Sequence, residues 1–486
     1  MFSGIDWLVF FSYFLMLAIS SYLLGKKKIS NSREYFVSSN SMPMLAVAIS
    51  LLATSQSAAT FLGAPEFSYA HNLTFIGFYI SSLIAVIFVS YVFIPKFYEM
   101  KAVTVYELLE KSYGARAKKQ AGIMFLFGRV LASGARLYIG SLAISMILFG
   151  DILFLHLSIS IFILVLGALA YTYFGGIRSV ILSDIIQALT YVGAGIAVLV
   201  FLYFSLENVD ILSVLNDFNK LKFLDFSIDG KFSVIGLLSG WLLLNIAAFG
   251  LDQDMTQRVL SCKNEKEARK SLIVSILLTI PVVLLFLSIG LLLFVYYKEV
   301  NVNQSFSGER ITIFMYYILN EMPEGLRGLV TVGAVAAALS STNSVLGAMA
   351  SVAIEDLYKP YKLKQGQVSD IHFVKASRFA VVFFAIVLSI MAMISYYWQQ
   401  YTQLSLISFA LGVMAFAYAG LLGVYFSAMF TSHGNSKMVL YALVSGFVSV
   451  LALQPYVFGI NIGFSWALVI GTIVSFLVMQ IGGRDG

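Results

Sequence analysis

AVAISLLATSQSAATFLGAP, residues 46–65, begins as an apolar helix and then sets Thr54, Ser55, Gln56 and Ser57 in a row, with Gly63 and Pro65 following. Its reading depends on the surrounding solvent. Inside a bilayer, a helix interrupted here frees backbone carbonyls at mid-membrane depth, and broken helices at that depth are how secondary transporters hold ions and substrates. The alternative is an intact helix whose hydroxyls bond carbonyls one turn back.

The composition decides the solvent. Of 486 residues, 59% are hydrophobic and 12% charged, and mean hydropathy is +0.88. Soluble domains carry about 25% charged residues. A water-soluble chain of this length could not hide so much apolar surface, so this is an all-α polytopic membrane protein. The single cysteine, Cys262, excludes an internal disulfide or thiolate cluster. His71, His156, His372 and His433 form no ligand-spaced pair, which argues against a metal enzyme. No nucleophile–base pair or cofactor motif suggests any other enzyme.

Thirteen apolar segments of spanning length run near 5–25, 43–66, 74–95, 119–149, 152–174, 179–206, 233–252, 269–297, 326–355, 373–396, 402–429, 438–455 and 463–482. Met1 to Trp7 carries no basic residue, and Lys26-Lys27-Lys28 follows the first segment. That order predicts a retained first helix, not a cleaved signal, with the N-terminus outside. The predicted external loops then hold only Lys220, Lys222, Lys231, Lys298, Arg310 and Arg327. Arg129 and Arg136 lie inside the fourth segment, and the rest of the 31 basic residues fall on the cytoplasmic side. The positive-inside rule thus predicts N-out, C-in, with the short loops suggesting a bacterial inner (plasma) membrane. The net charge of +6 reflects this placement and does not point to nucleic acid. No obligate protein partner is indicated.

Charge at a lipid-facing helix centre costs about 2.5–3.5 kcal/mol, so buried ionisable groups face protein or a wet cavity. Asp184 sits one or two turns into an apolar helix, either packed on hydroxyls or ligating a cation. Asp252 and Asp254, beside Arg258, read as an interfacial salt-bridge cluster. In AAALSSTNS, 336–344, Ser340, Asn343 and Ser344 share one helix face. The preceding alanines allow close backbone approach.

Three stretches together resemble the sodium:solute symporter family: GGIRSVILSDIIQ (175–187), DQDMTQRVLS (252–261), and AAALSSTNS followed by IEDLY (354–358). The resemblance covers nearly the whole chain as one transmembrane domain, 1–486. It implies the leucine-transporter-like fold, an inverted 5+5 repeat core over about 43–429. One peripheral helix precedes it (5–25) and two follow (438–455 and 463–482).

The function implied is sodium-coupled symport of a small organic solute. By position, the resemblance implies a first sodium site from backbone carbonyls of Ala53, Gln56 and Ala337 with the hydroxyls of Ser340 and Ser341. It implies a second at Asp184, Ser340, Asn343 and Ser344, although Asn343 replaces the usual Ser or Thr. One or two Na+ ions are expected, two favoured. Around FGRV (127–130) the chain looks most similar to the sialic acid carriers. That likeness implies a carboxylate clamp at Arg129 and substrate contacts at Ser57, Thr60, Trp241 and Asn245. Phe78 falls where those carriers have a glutamine, which leaves room for a smaller or less hydroxylated organic anion; a monocarboxylate, proline or a sugar is the alternative solute. Arg136, two turns beyond Arg129, reads as pairing with an acid at the outer mouth.

Each sodium entering down 100 mV supplies about 2.3 kcal/mol. An anionic substrate returns about one such charge, which makes a second sodium useful. A proton-coupled carrier using Asp184 is the competing transporter reading. A channel would need a continuous polar pore, whereas the polar positions cluster near one depth. A sensor would need a signalling domain, and the last apolar segment ends close to Gly486.

Overall fold

The computed structural model describes the chain apart from residues 1, 25–28, 208, 228–229, 231, 301–311, 403–405, 461 and 484–486. The basic run Lys26-Lys27-Lys28 and the loop residues Lys231 and Arg310 therefore lie outside the described residues. The principal helices are α1 (Gly4–Leu24), α2 (Met44–Ser55), α3 (Ala58–Ala70), α4 (Ile76–Val92), α5 (Ala115–Phe149) and α6 (Phe154–Phe204). They continue with α7 (Gly240–Ile246), α8 (Gln253–Val259), α9 (Glu265–Val295), α10 (Leu326–Ser351), α11 (Asp370–Thr402), α12 (Leu406–Phe430), α13 (Ser436–Ala452) and α14 (Phe464–Ile481). No strand occurs among the described residues; one isolated parallel bridge joins Met42 to Cys262.

Nine helices among the described residues are long and apolar enough to cross a membrane, and ten if α2 and α3 count as one bent span. The thirteen expected segments further need α1, of 21 residues, and the shorter α13, of 17, to cross. They also need the 51-residue run of α6 to count twice. Exposed Phe379, Phe383, Ile386, Ile390 and Ile394 form a stripe along α11. At spacings of three and four residues they share one face, and an apolar face left open suits lipid.

The bend comes where the opening stretch placed its polar run. Gln56 (φ −87°, ψ 113°) and Ser57 (φ −110°, ψ 173°) are extended, and the two halves meet at 62°. Thr54 and Ser55 donate back to the carbonyls of Ser50 (2.8 Å) and Leu52 (2.9 Å), and the Ser57 carbonyl accepts the amides of Thr60 and Phe61 to restart the helix. Gly63 and Pro65 are not at the break. They lie inside α3, which continues past Pro65 to Ala70.

α6 also changes direction, at Gly176 (φ 56°, ψ −155°). Only glycine occupies that backbone region readily. A Cβ there would stand 2.4 Å from the Tyr35 carbonyl oxygen, while the Tyr35 hydroxyl donates to the Thr172 carbonyl at 2.5 Å. The residues before and after Gly176 match the two segments read from sequence.

α10 is the innermost helix, buried almost continuously from Val330 to Met349. It packs along α6, α5 and α2. Close approach requires small residues here. A Cβ on Gly140 of α5 would lie 2.8 Å from the Cβ of Ala338 and 3.6 Å from that of Ala58.

Candidate functional site

The break between α2 and α3 faces α10. Among the described residues no backbone amide bonds the carbonyl of Ala53 or Gln56 across the break, so both remain available as acceptors. Thr54 and Ser344 hydroxyls lie 3.2 Å apart and tie α2 to α10. On α10, the Ser341 hydroxyl donates to the carbonyl of Ala338 at 3.0 Å, which leaves its oxygen lone pairs for a cation. Ser340 donates to Asp184 Oδ1 at 3.0 Å. Carbonyl and hydroxyl oxygens at an interrupted helix are the donor set a hard monovalent cation needs.

Beside this cluster the structure departs from the sequence reading. Arg258, read as part of an interfacial group, is fully buried with Asp252 and Asp254. Its Nη2 lies 3.0 Å from Asp184 Oδ2 and also meets Ser344 Oγ. Nε donates to Ser50 Oγ at 2.8 Å, and Nη1 reaches Asp254 Oδ1 at 3.0 Å. Ser50 in turn donates to Asp184 Oδ2 at 2.5 Å. Asn343, expected beside Asp184, is buried with both side-chain amide atoms lacking hydrogen-bond partners. It faces a small cavity with Tyr35, Thr172 and Gln257 instead.

A cavity opens beside the break, lined by Ser57 at the break, Thr60 of α3, Phe78 and Tyr79 of α4, Arg129 and Arg136 of α5, Asn245 of α7 and Tyr418 of α12. Three expected substrate contacts, Ser57, Thr60 and Asn245, are brought to its wall. Trp241 is not. It packs among Phe78, Phe232 and Phe464 at ring-centroid distances of 5.5, 5.3 and 4.9 Å, behind the wall that Phe78 forms.

Arg129 reaches the cavity but is committed elsewhere. Its guanidinium grips Asp252 through Nη2 at 2.6 Å and Nε at 3.2 Å, and Nη2 also lies 3.1 Å from Asp254. The Tyr418 hydroxyl donates to Asp252 Oδ2, the oxygen that Nη2 also grips. Arg136 has no such partner. It lines the cavity with its Nη2 2.9 Å from the Met414 sulfur, and among the described residues no carboxylate forms an ion pair with it. Among the described residues no acid at the outer mouth pairs with it, contrary to expectation. Tyr418 and Tyr79 were not singled out from the sequence. The only signal for Tyr418 is its setting between alanines in AFAYAG, 415–420, where a polar-tipped ring can reach inward.

A helix bundle with a broken span, oxygen donors at the break and an adjoining polar–aromatic cavity defines a multi-pass membrane transporter. The sodium:solute symporter family model matches residues 35–446, and the chain belongs to that family of sodium-coupled symporters. It is 26% identical to the sodium/sialic acid symporter NanT of Aliivibrio fischeri, over 98% of this chain and 92% of that one. It is also 26% identical to the sodium/sialic acid symporter SiaT of Proteus mirabilis, over 97% and 93%. The sodium-coupled monocarboxylate transporter 2 of Bos taurus is 27% identical over 73% of this chain and 58% of its own. In structure, the chain resembles a substrate-bound, outward-open Na+-coupled sialic acid symporter, with a TM-score of 0.85, 24% identity and coverage of 99% and 98%. A nucleobase-cation symport transporter in a closed conformation follows at a TM-score of 0.54, 14% identity and coverage of 93% and 96%. The fold is therefore the leucine-transporter-like one expected.

Proposed function

We propose that this protein imports a small organic carboxylate together with sodium, and that Arg136 holds the carboxylate. One observation carries the reading: Arg136 presents a guanidinium to the cavity with no carboxylate of the described residues paired to it, whereas Arg129 is neutralised by Asp252 and Asp254. A buried unpaired cation is costly, and a substrate carboxylate supplies the missing charge through two parallel hydrogen bonds. The N-terminus of α3 adds positive potential from the same side, and Ser57, Thr60 and Asn245 offer hydrogen bonds to the substrate body.

Sodium bound by Ala53, Gln56, Ala337, Ser340 and Ser341 draws α2 and α3 against α10. This shapes the wall that holds the substrate before the bundle opens inward. The relatives named above make sialic acid the first substrate to try. Phe78 and the surrounding rings favour a less hydroxylated carboxylate as the second reading. The protein is placed in the inner membrane with its N-terminus outside.

The test is uptake of radiolabelled sialic acid into proteoliposomes under an inward sodium gradient, with unlabelled monocarboxylates, proline and sugars as competitors. Wild type accumulates label only with sodium, Ser340→Ala loses the sodium dependence, and Arg136→Ala loses uptake by tenfold or more. Competition by neutral sugars but not by carboxylates would remove the anion reading.

A further inference from the structure

Asp184 and the hydroxyls of Ser50, Ser340 and Ser344 form an oxygen cage of the composition a hard cation takes. The cage already contains a cation, because Arg258 enters it from α8. One guanidinium nitrogen lies 3.0 Å from Asp184 Oδ2 and against Ser344, and another donates to Ser50 at 2.8 Å. The other carboxylate oxygen accepts from Ser340 at 3.0 Å. The third nitrogen is held by Asp254 at 3.0 Å, and Asp254 also meets Arg129 at 3.1 Å. Charges thus alternate from Asp184 through Arg258 and Asp254 to Arg129, which lines the cavity, and on to the buried Asp252.

We propose that the Arg258 guanidinium is a tethered replacement for a second sodium ion, so that one sodium, not two, accompanies each substrate. The geometry leaves an incoming ion no oxygen of Asp184 without a donor, and it would meet a like charge at contact distance. The departure at Asn343 agrees, since its buried amide makes no hydrogen bond to the cage. With a monoanionic substrate, one sodium makes the cycle electrically neutral. Arg258 is a positioning residue: it touches neither substrate nor the transported ion.

The proposal deepens the symport reading and rests on it. The test counts sodium-22 bound per purified full-length chain by scintillation proximity, in wild type, Asp184→Asn, Arg258→Ala, Arg258→Lys and the double variant Arg258→Ala/Asp184→Asn. Wild type is expected to bind one ion and Asp184→Asn still one. Arg258→Ala, with the cage opened, binds two; Arg258→Lys and the double variant return to one. Two ions in wild type with one lost in Asp184→Asn would overturn the proposal and keep the symporter. So would Arg258→Ala holding at one. Should Arg258→Ala not fold, the wild-type and Asp184→Asn counts decide alone. No bound sodium in wild type overturns the symport reading itself and this proposal with it.

Discussion

Arg129 and Arg136 sit on one face of α5, and their different surroundings give them different roles. Breaking a buried ion pair by removing one partner costs about 3–5 kcal/mol, because the remaining charge stays buried. Arg129→Ala leaves Asp252 and Asp254 short of one guanidinium and is expected to lower stability by about that amount. The check is the melting temperature of detergent-purified protein without substrate, with Arg129→Met/Asp252→Asn recovering part of the loss. Arg136→Ala should leave that melting temperature nearly unchanged or raised, since an unpaired buried cation is removed. The same reasoning bears on Arg258. A second unit charge at about 4 Å is repelled by about 4 kcal/mol at an effective dielectric of about 20, a penalty near a thousandfold in affinity. Asp184 and Ser340 were legible in the sequence because an acid and a serine run inside apolar helices must each find a polar partner or a wet cavity. Arg258 was not. It lies near the basic stretch from Lys263 to Lys270, and only the fold shows that it turns inward.

Among the elements, α2–α3 and α6 each change direction for a different reason. In α6 the cause is steric and local. Gly176→Ala would force a Cβ into the Tyr35 carbonyl, 2.4 Å away, at φ 56°. A loss of about 1–3 kcal/mol is expected from the backbone conformation alone. Gly193→Ala on the same helix has open space around its Cβ and should gain up to about 1 kcal/mol from helix propensity. Urea or thermal unfolding of the two variants side by side measures the contrast. Equal effects would mean that the turn at residue 176 is not what holds α6 against Tyr35. In α2–α3 no proline or glycine sits at the break. Gln56 and Ser57 are extended because the hydroxyls of Thr54 and Ser55 turn back on their own helix while α3 restarts from Ser57. The polar run marked the place correctly, whereas Gly63 and Pro65 pointed too far along the chain.

At the scale of the whole molecule, orientation follows from charge. Lys222 is exposed in the loop before α7, and Lys364 is exposed in the loop before α11, on what the charge bias makes opposite sides. Cys262 is buried and contributes little background labelling. A membrane-impermeant maleimide should therefore label Lys222→Cys in intact cells and Lys364→Cys only after permeabilisation; the reverse pattern would invert the orientation. Composition and the positions of polar residues within apolar runs determined the solvent, the helical class, the family resemblance and the place of the helix break. Those properties depend on transfer free energy and on periodicity along one helix, which neighbouring residues in the chain express. The assignment of partners was decided only by the tertiary structure. Arg129 meets Asp252, Arg258 meets Asp184 across 74 positions, Tyr418 meets Asp252 across 166, and Trp241 hides behind Phe78. A buried charge must be matched by whichever opposite charge the packing brings within a few ångströms, and that distance is a property of the folded bundle.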